Sequence, residues 1–306
     1  MRLYLKAIRR TGRSSANVAT VRDEFSRPPF FGSTKALGLY LRKVGMVTVN
    51  KMIGSSVSLM IGFLIYMFMS ARRRNVVYHN MDVSSGGQVD KKMSVFFISD
   101  IHRRKIDDKL LEKVQSTHEI DIVIIGGDLA ERGVPLTRIA ENIRKLAQLG
   151  PLFYVWGNND REVGEVEMRE LITRYGGKIL DNESVAVPGH ACWGIAGTDD
   201  PSSRNVDIDS TLRFVNQYDN IILVTHTPSL FRKVEQLYEP RLMLAGHTHG
   251  GQIRIGKYGL QEKGAFRLKK GRAKLISNGY GTSTLPLRLG AAPECHVIVV
   301  NYGESV

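Results

Sequence analysis

Four short clusters carry nearly all the functional information in this chain. They are Asp100-Ile-His102, Gly127-Asp128, Gly157-Asn158-Asn159-Asp160 and Gly246-His247-Thr248-His249-Gly250-Gly251-Gln252, with His226 alone in Val-Thr-His-Thr-Pro between the last two. Carboxylate, amide and imidazole donors without thiolate suit manganese, iron or zinc and do not choose among them. A pair of such ions activates water and neutralises phosphoryl oxygens together, so the expected chemistry is hydrolysis of a phosphate ester or anhydride. A lone Asp-x-His is as readily structural as functional. Five elements in one order carry the inference.

The clusters need elements to position them. From Met93 the sequence alternates strand and helix patterns. Residues 94–99, 120–125 and 152–156 read as buried strands. Residues 108–117 form an amphipathic pattern with Leu110, Leu111 and Val114 on one side. Pro135 fits the first turn of a helix carrying Ile139, Ile143 and Leu146, and Met168, Leu171, Ile172 and Tyr175 mark another. Further strands are predicted at 191–195, 220–225, 242–245, 274–277 and 296–301. The β-α-β-α-β opening favours a layered α/β architecture with helices outside. Each metal-capable cluster follows one of these strands, as ligands do at the carboxyl ends of α/β sheets. In extended backbone, residues i and i+2 point the same way, which predicts Asp100 with His102, and His247 with His249, as chelating pairs.

These motifs resemble the calcineurin-like metallophosphoesterase superfamily, whose pattern runs D-x-H, G-D, G-N-H-D/E, H and G-H-x-H. The resemblance covers residues 95 to about 300. The strings Phe-Phe-Ile-Ser-Asp-Ile-His, Gly-His-Thr-His-Gly-Gly-Gln and Gly-Thr-Ser-Thr-Leu-Pro-Leu-Arg are similar to the bacterial membrane-associated YkuE/YpbG branch. The resemblance implies a four-layer α/β/β/α sandwich with two divalent metal ions (Mn, Fe or Zn) at its edge. By position it puts Asp100, His102 and His249 on the first metal and Asn158, His226 and His247 on the second. Asp128 then bridges both, and a bridging water or hydroxide attacks phosphorus in line.

One position departs from that pattern. Asn159 stands where the family commonly has a histidine that contacts the phosphate and assists the leaving oxygen. Asparagine donates a hydrogen bond but delivers no proton near neutral pH. Asn159 and Asp160 are the candidate catalytic pair, with Asp160 either holding the Asn159 amide or capping a loop. Four arginines adjoin the ligands: Arg103, Arg104, Arg132 and Arg161. Guanidinium forks suit phosphate, and Arg103 and Arg161 are the foremost candidates to hold it.

Charge divides the chain. Residues 1–92 hold 16 Lys/Arg against 4 Asp/Glu, whereas residues 93–306 hold 27 against 26. A basic region outside the metal-bearing part points to anionic lipid headgroups, or is simply solvated. The near-neutral remainder argues against nucleic-acid binding. Residues 52–71 contain no charge. At about 1.5 Å per residue they just cross a bilayer core of about 30 Å. Arg72, Arg73 and Arg74 follow with no convincing small-residue cleavage site before them, so an uncleaved single-pass anchor in the cell membrane is expected over a signal peptide or a buried helix.

The basic residues near its two ends tie: Lys35, Arg42, Lys43 and Lys51 against Arg72, Arg73, Arg74 and Lys91. If translation starts at Met46 or Met52 the arginine triplet dominates and the catalytic region faces the cytosol; from Met1 the orientation is open. A cytosolic catalytic region is the working expectation. The organisation is then a basic N-terminal arm at 1–51, an anchor at 52–71, a basic tether at 72–92 with Ser84-Ser85-Gly86-Gly87, and a catalytic domain at 93–306. Cys192 and Cys295 lie in apolar stretches and read as small buried hydrophobes rather than a disulfide.

Two functions from different classes fit. One is a membrane-anchored hydrolase of a phosphoester or pyrophosphate, of a lipid-linked or nucleotide-sugar substrate similar to UDP-2,3-diacylglucosamine. The other is a metal-binding scaffold that has lost catalysis and binds a partner.

Overall fold

The structure, a computed structural model, describes residues 34–83 and 90–303. The arm before residue 34 and Ser84-Ser85-Gly86-Gly87 lie outside the described residues. The chain divides into two units, Met1–Leu59 and Met60–Val306.

Helix α1, Thr34–Ala71, runs from the first unit into the second. Its stretch Lys35–Ala71 is long and apolar enough to cross a membrane. Residues 34–51, expected in the basic arm, are therefore helical. The charge-free run located only the apolar end of the element. Leu, Lys, Arg and Met are good helix formers, and no proline interrupts the segment, so the helix extends beyond the uncharged part.

In the second unit two six-stranded sheets stack. The first has the order β1-β12-β2-β3-β4-β5 and the second β10-β11-β9-β8-β7-β6. The strands of the first are β1 (Asn75–Val83), β2 (Lys91–Ile98), β3 (Ile122–Gly126), β4 (Leu152–Val155), β5 (Lys178–Ile179) and β12 (Glu294–Tyr302). Those of the second are β6 (Glu183–Val187), β7 (His190–Gly197), β8 (Asn220–Val224), β9 (Leu242–Ala245), β10 (Ala265–Lys269) and β11 (Arg272–Ile276). β2, β3 and β4 are mutually parallel, as are β7, β8 and β9.

Strand periodicity explains the layering. Along β2 and β3, Val95, Phe97, Ile122 and Ile124 face the core between the sheets, where Trp193, Ile222, Val224 and Leu244 meet them. The alternate residues Phe96, Ile98, Val123 and Ile125 face outward onto helices α2 (Asp108–Gln115), α3 (Leu136–Ala147) and α4 (Glu165–Arg174), through Leu110, Val114, Ile139, Ile143, Leu146 and Met168. On the other side Ile221, Leu223 and Met243 pack under α6 (Leu230–Glu235) through Phe231 and Val234, with Ile208 and Leu212 of α5 (Ile208–Leu212) beside them. Each such fully buried side chain contributes about 1.5–3 kcal/mol. The result is the expected four-layer α/β/β/α sandwich. Cys295 is buried in the outer core and Cys192 packs against the inner one.

Two local expectations change. Pro135 sits at the N-cap of α3 in extended conformation rather than in its first turn. The expected tether 72–92 contains β1, an edge strand paired in parallel with β12, so the folded domain begins before residue 93. Val76, Met81 and Val83 are buried while the residues between are mostly half or fully exposed. An edge strand needs few apolar residues, and its mixed composition left only a weak pattern.

Candidate metal centre

The carboxyl ends of β2, β3 and β4 in one sheet, and of β8 and β9 in the other, meet at one edge of the sandwich. Asp100 and His102 follow β2, Asp128 follows β3, Asn158 follows β4, His226 follows β8, and His247 and His249 follow β9. The donors form two groups. Asp100, His102 and His249 make one, and Asp100, Asp128 and His226 the other.

Within the first, His102 Nε2 is 3.0 Å from His249 Nε2, which is 3.3 Å from Asp100 Oδ1. Asp128 Oδ2 lies between the groups, 3.6 Å from His102 Nε2 and 3.3 Å from His226 Nε2. Asn158 Oδ1 is 3.2 Å from His226 Nε2 and 2.9 Å from His247 Nδ1. Around an ion with donor bonds of about 2.0–2.2 Å, neighbouring donors stand about 2.8–3.6 Å apart in octahedral or tetrahedral geometry. The spacing fits.

Five of these residues hold positive φ: Asp100 (54°), His102 (51°), Asp128 (50°), His247 (69°) and His249 (49°). Such backbone costs of order 1–3 kcal/mol per residue and persists where its surroundings over-determine it. It also overturns the extended-chain pairing of His247 with His249. In left-handed backbone the two rings diverge, and His249 reaches Asp100 and His102 while His247 reaches His226 and Asn158. Two motif glycines are required by close approach. A Cβ on Gly157 would stand 2.2 Å from Asp128 Oδ1, and one on Gly246 would stand 2.4 Å from Asp100 Oδ2.

Electrostatics agree with a cation-binding role. Burial opposes charge on Asp128, yet the charge and hydrogen bond of His226 hold its carboxyl well below the usual carboxylate range. Burial likewise opposes charge on His226, but Asp128 and Asp100 raise it to about 10. Burial, with His102 and Arg288 adding to it, lowers His249 to about 4. A buried carboxylate cluster that keeps a proton on imidazole to balance its charge offers the same place to a divalent ion, which displaces that proton.

Surrounding groups fix the donors. His226 Nδ1–H donates to Gly126 O at 2.9 Å, leaving Nε2 to face Asp128. Ser99 Oγ donates to Asp100 Oδ2 at 2.6 Å, and the His247 amide donates to the same carboxylate. Glu131, which sequence reading passed over, places Oε2 2.9 Å from His102 Nδ1. Its signal was present, three residues beyond Asp128, but an exposed-looking glutamate in a loop has no pattern of its own.

The candidate catalytic and phosphate-binding residues each engage partners within the protein, and Asp160 takes the loop-capping role, one of the two expected for it. Asn159 donates from its amide nitrogen to Asp128 Oδ2 at 2.7 Å and from its backbone to Oδ1 at 2.8 Å. Asp160 is fully buried and accepts from the backbone N–H of Asp128, Ala130 and Gly157 at 2.8–3.0 Å. It caps loops, and does not hold the Asn159 amide; burial and the charge of Asp128 raise it to about 6. Arg161 forks onto Asp199 at 2.8 and 3.0 Å and also meets Glu165. Arg103 is bound to Glu131 and to Arg132 O, bracing the partner of His102. Arg104 stacks on Tyr280 and donates to Tyr280 O, Ala71 O, Arg72 O and Arg73 O, closing the end of α1. Arg132 is exposed, 3.9 Å from Glu162.

Residues 93–251 match the calcineurin-like phosphoesterase family. The uncharacterized protein YpbG of Bacillus subtilis is 46% identical over 211 residues, which are 68% of this chain and 81% of YpbG. A Bos taurus transmembrane protein with a metallophosphoesterase domain is 25% identical over 237 residues, 68% of this chain and 53% of that protein. Phosphodiesterase YaeI of Escherichia coli is 25% identical over 183 residues, 53% of this chain and 62% of YaeI. The chain therefore belongs to the calcineurin-like phosphoesterase family, and is a metal-dependent hydrolase of phosphoester bonds.

Proposed function

We propose that the chain is a dinuclear-metal phosphoesterase or pyrophosphatase anchored in the cell membrane by the apolar part of α1, with its catalytic unit on the cytosolic side. Its substrate is a lipid-linked or nucleotide-sugar phosphate similar to UDP-2,3-diacylglucosamine. The observation that carries the reading is the pair of donor groups sharing Asp100, with Asp128 Oδ2 standing 3.3–3.6 Å from a histidine of each. Asp100, His102 and His249 would hold one ion and Asn158, His226 and His247 the other, with Asp128 between. Two divalent ions there supply an activated water and neutralise phosphoryl oxygens.

The chain's own residues do the rest. Glu131 holds His102 Nδ1 and so turns Nε2 toward the site. Asp160 ties the β3 and β4 loops by three backbone hydrogen bonds. Asn159 steadies Asp128 and offers no proton to a departing oxygen. The scaffold alternative predicts metal binding without turnover. Manganese content and hydrolysis of bis(4-nitrophenyl) phosphate by the purified full chain separate the two. Asp128→Asn should remove bound metal and activity together, and undiminished hydrolysis by metal-free Asp128→Asn protein would sink the two-metal reading.

A further inference from the structure

A cavity of about 400 Å³ opens directly on the metal centre, with His247 and His249 on one side and Ile253, Leu260 and Leu285 on the other. Two loops build the apolar side. In the first, Ile255 and Tyr258 exchange backbone hydrogen bonds at 2.9 and 3.1 Å, making a tight tip around Gly256 and Lys257. Buried Arg254 pins that loop from within, donating to Gly250 O, Lys257 O and Gln261 O. Gln252 clamps it to the second loop, donating to Ser283 O and Leu285 O at 3.0 and 2.9 Å while its own carbonyl oxygen accepts from Ser283 N.

Arg254 and Gln252 turn inward, while Ile255, Tyr258, Leu260 and Leu285 turn out beside exposed Lys257, Gln261, Glu262 and Lys263. Leu260 is 92% exposed, Ile255 75%, Tyr258 71% and Leu285 53%. An isolated exposed leucine needs no explanation. Two clamped loops that together present four large apolar side chains, with Leu260 and Leu285 lining the cavity beside His247 and His249, do.

What covers them follows from the next residues in the chain. Arg288, three residues beyond Leu285, donates its backbone N–H to Met67 O of α1 at 3.1 Å. Met67 lies about one turn before the end of α1 at Ala71, where exposed Arg72, Arg73 and Arg74 follow. The loop that forms one lip of the cavity is therefore fastened to the last turns of α1, next to the three arginines that follow it. Lys257 at the tip of the other loop is exposed as well. Apolar side chains flanked by cations suit an anionic bilayer surface.

We propose that Ile255, Tyr258, Leu260 and Leu285 enter the interface of the bilayer that α1 crosses. The metal-site cavity then opens onto the headgroup layer and receives a membrane-resident amphiphile by its phosphate, with an apolar chain against Ile253, Leu260 and Leu285. This rests on the anchored-hydrolase reading above and narrows its substrate to one drawn from the membrane itself.

The full chain in nanodiscs of phosphatidylcholine and phosphatidylglycerol tests it by two readouts. First, Leu260→Trp fluorescence is recorded with acyl-brominated lipid, against the unaltered chain, whose Trp156 and Trp193 are buried. Marked additional quenching is expected, and none would overturn the proposal. Second, kcat/KM is compared for 4-nitrophenyl dodecyl phosphate and 4-nitrophenyl methyl phosphate with added manganese. The dodecyl ester should be favoured at least about tenfold, and the ratio should collapse in Ile255→Ser/Leu260→Ser/Leu285→Ser. An equal ratio in both proteins would overturn the proposal. A protein that hydrolyses neither ester would instead count against the hydrolase reading, and quenching would still decide the docking surface.

Discussion

Asn159 is the residue at which this chain parts from its family's pattern, and its geometry says what the change does. Its amide is spent on Asp128, so no acid stands at that position to protonate a leaving oxygen. Substrates whose leaving group needs little protonation should be cut faster: a leaving phosphate, with a second ionisation near pH 6, over a simple alkoxide. The measurement is kcat/KM against leaving-group pKa. Asn159→His should flatten the dependence by improving poor leaving groups most; a flat dependence in the unaltered enzyme, with chemistry rate-limiting, would show that another residue supplies the proton. Glu131 gives a second prediction at this scale. It fixes His102 through Nδ1, and such partners typically change metal affinity or activity by about 10–100-fold. Glu131→Ala should do so while the fold, followed by circular dichroism, stays intact. Metal titration that superimposes on the parent curve would remove Glu131 from the site.

Among the elements, β12 carries a group that ties stability to pH. His296 is buried between the two sheets, with Nε2 2.9 Å from Ser277 Oγ and Nδ1 3.1 Å from His79 Nε2. Burial, and then the neighbouring His79, lower it to about 3. The unfolded chain, with an ordinary histidine pKa of about 6.5, takes up the proton first as pH falls. Stability from this group is complete above about pH 6.5 and is lost progressively toward pH 3. His296→Gln should therefore narrow its Tm deficit relative to the parent as pH drops from 7 to 4. Each 1 kcal/mol so relieved corresponds to about 2–4 °C in a domain of this size. Parallel Tm curves would assign the acid sensitivity elsewhere.

At the scale of the whole molecule, α1 and the catalytic unit are joined by more than a tether. Arg104 closes the carbonyls at the end of α1 two residues after His102, and Arg288 carries the Met67 contact while its guanidinium reaches His249 Nδ1 at 3.2 Å. With α1 crossing the membrane as proposed, the side on which Ala71 emerges decides where the metal centre works. Three consecutive arginines after α1 are costly to translocate, which favours the cytosolic side. Protease added to intact cells should leave residues 72–306 uncut until lysis. Digestion before lysis would reverse the orientation and point to a substrate outside the cytosol.

Sequence alone determined the strands that end in ligands, because buried parallel strands are short apolar runs and each motif follows one directly. It determined the donor types, and with them the class of chemistry. It also located the apolar part of α1, since absence of charge is a local property. Tertiary structure decided which donors meet. His247 and His249 are two apart in sequence, but left-handed backbone sends them to different groups. It also decided what the arginines beside the ligands bind within the protein. Arg161 and Arg103 look alike beside the ligands, yet their partners Asp199 and Glu131 come from other segments and no periodicity relates them. The β1 edge strand stayed hidden for the same reason: its partner, β12, lies more than two hundred residues away, and its burial depends on that pairing rather than on its own composition.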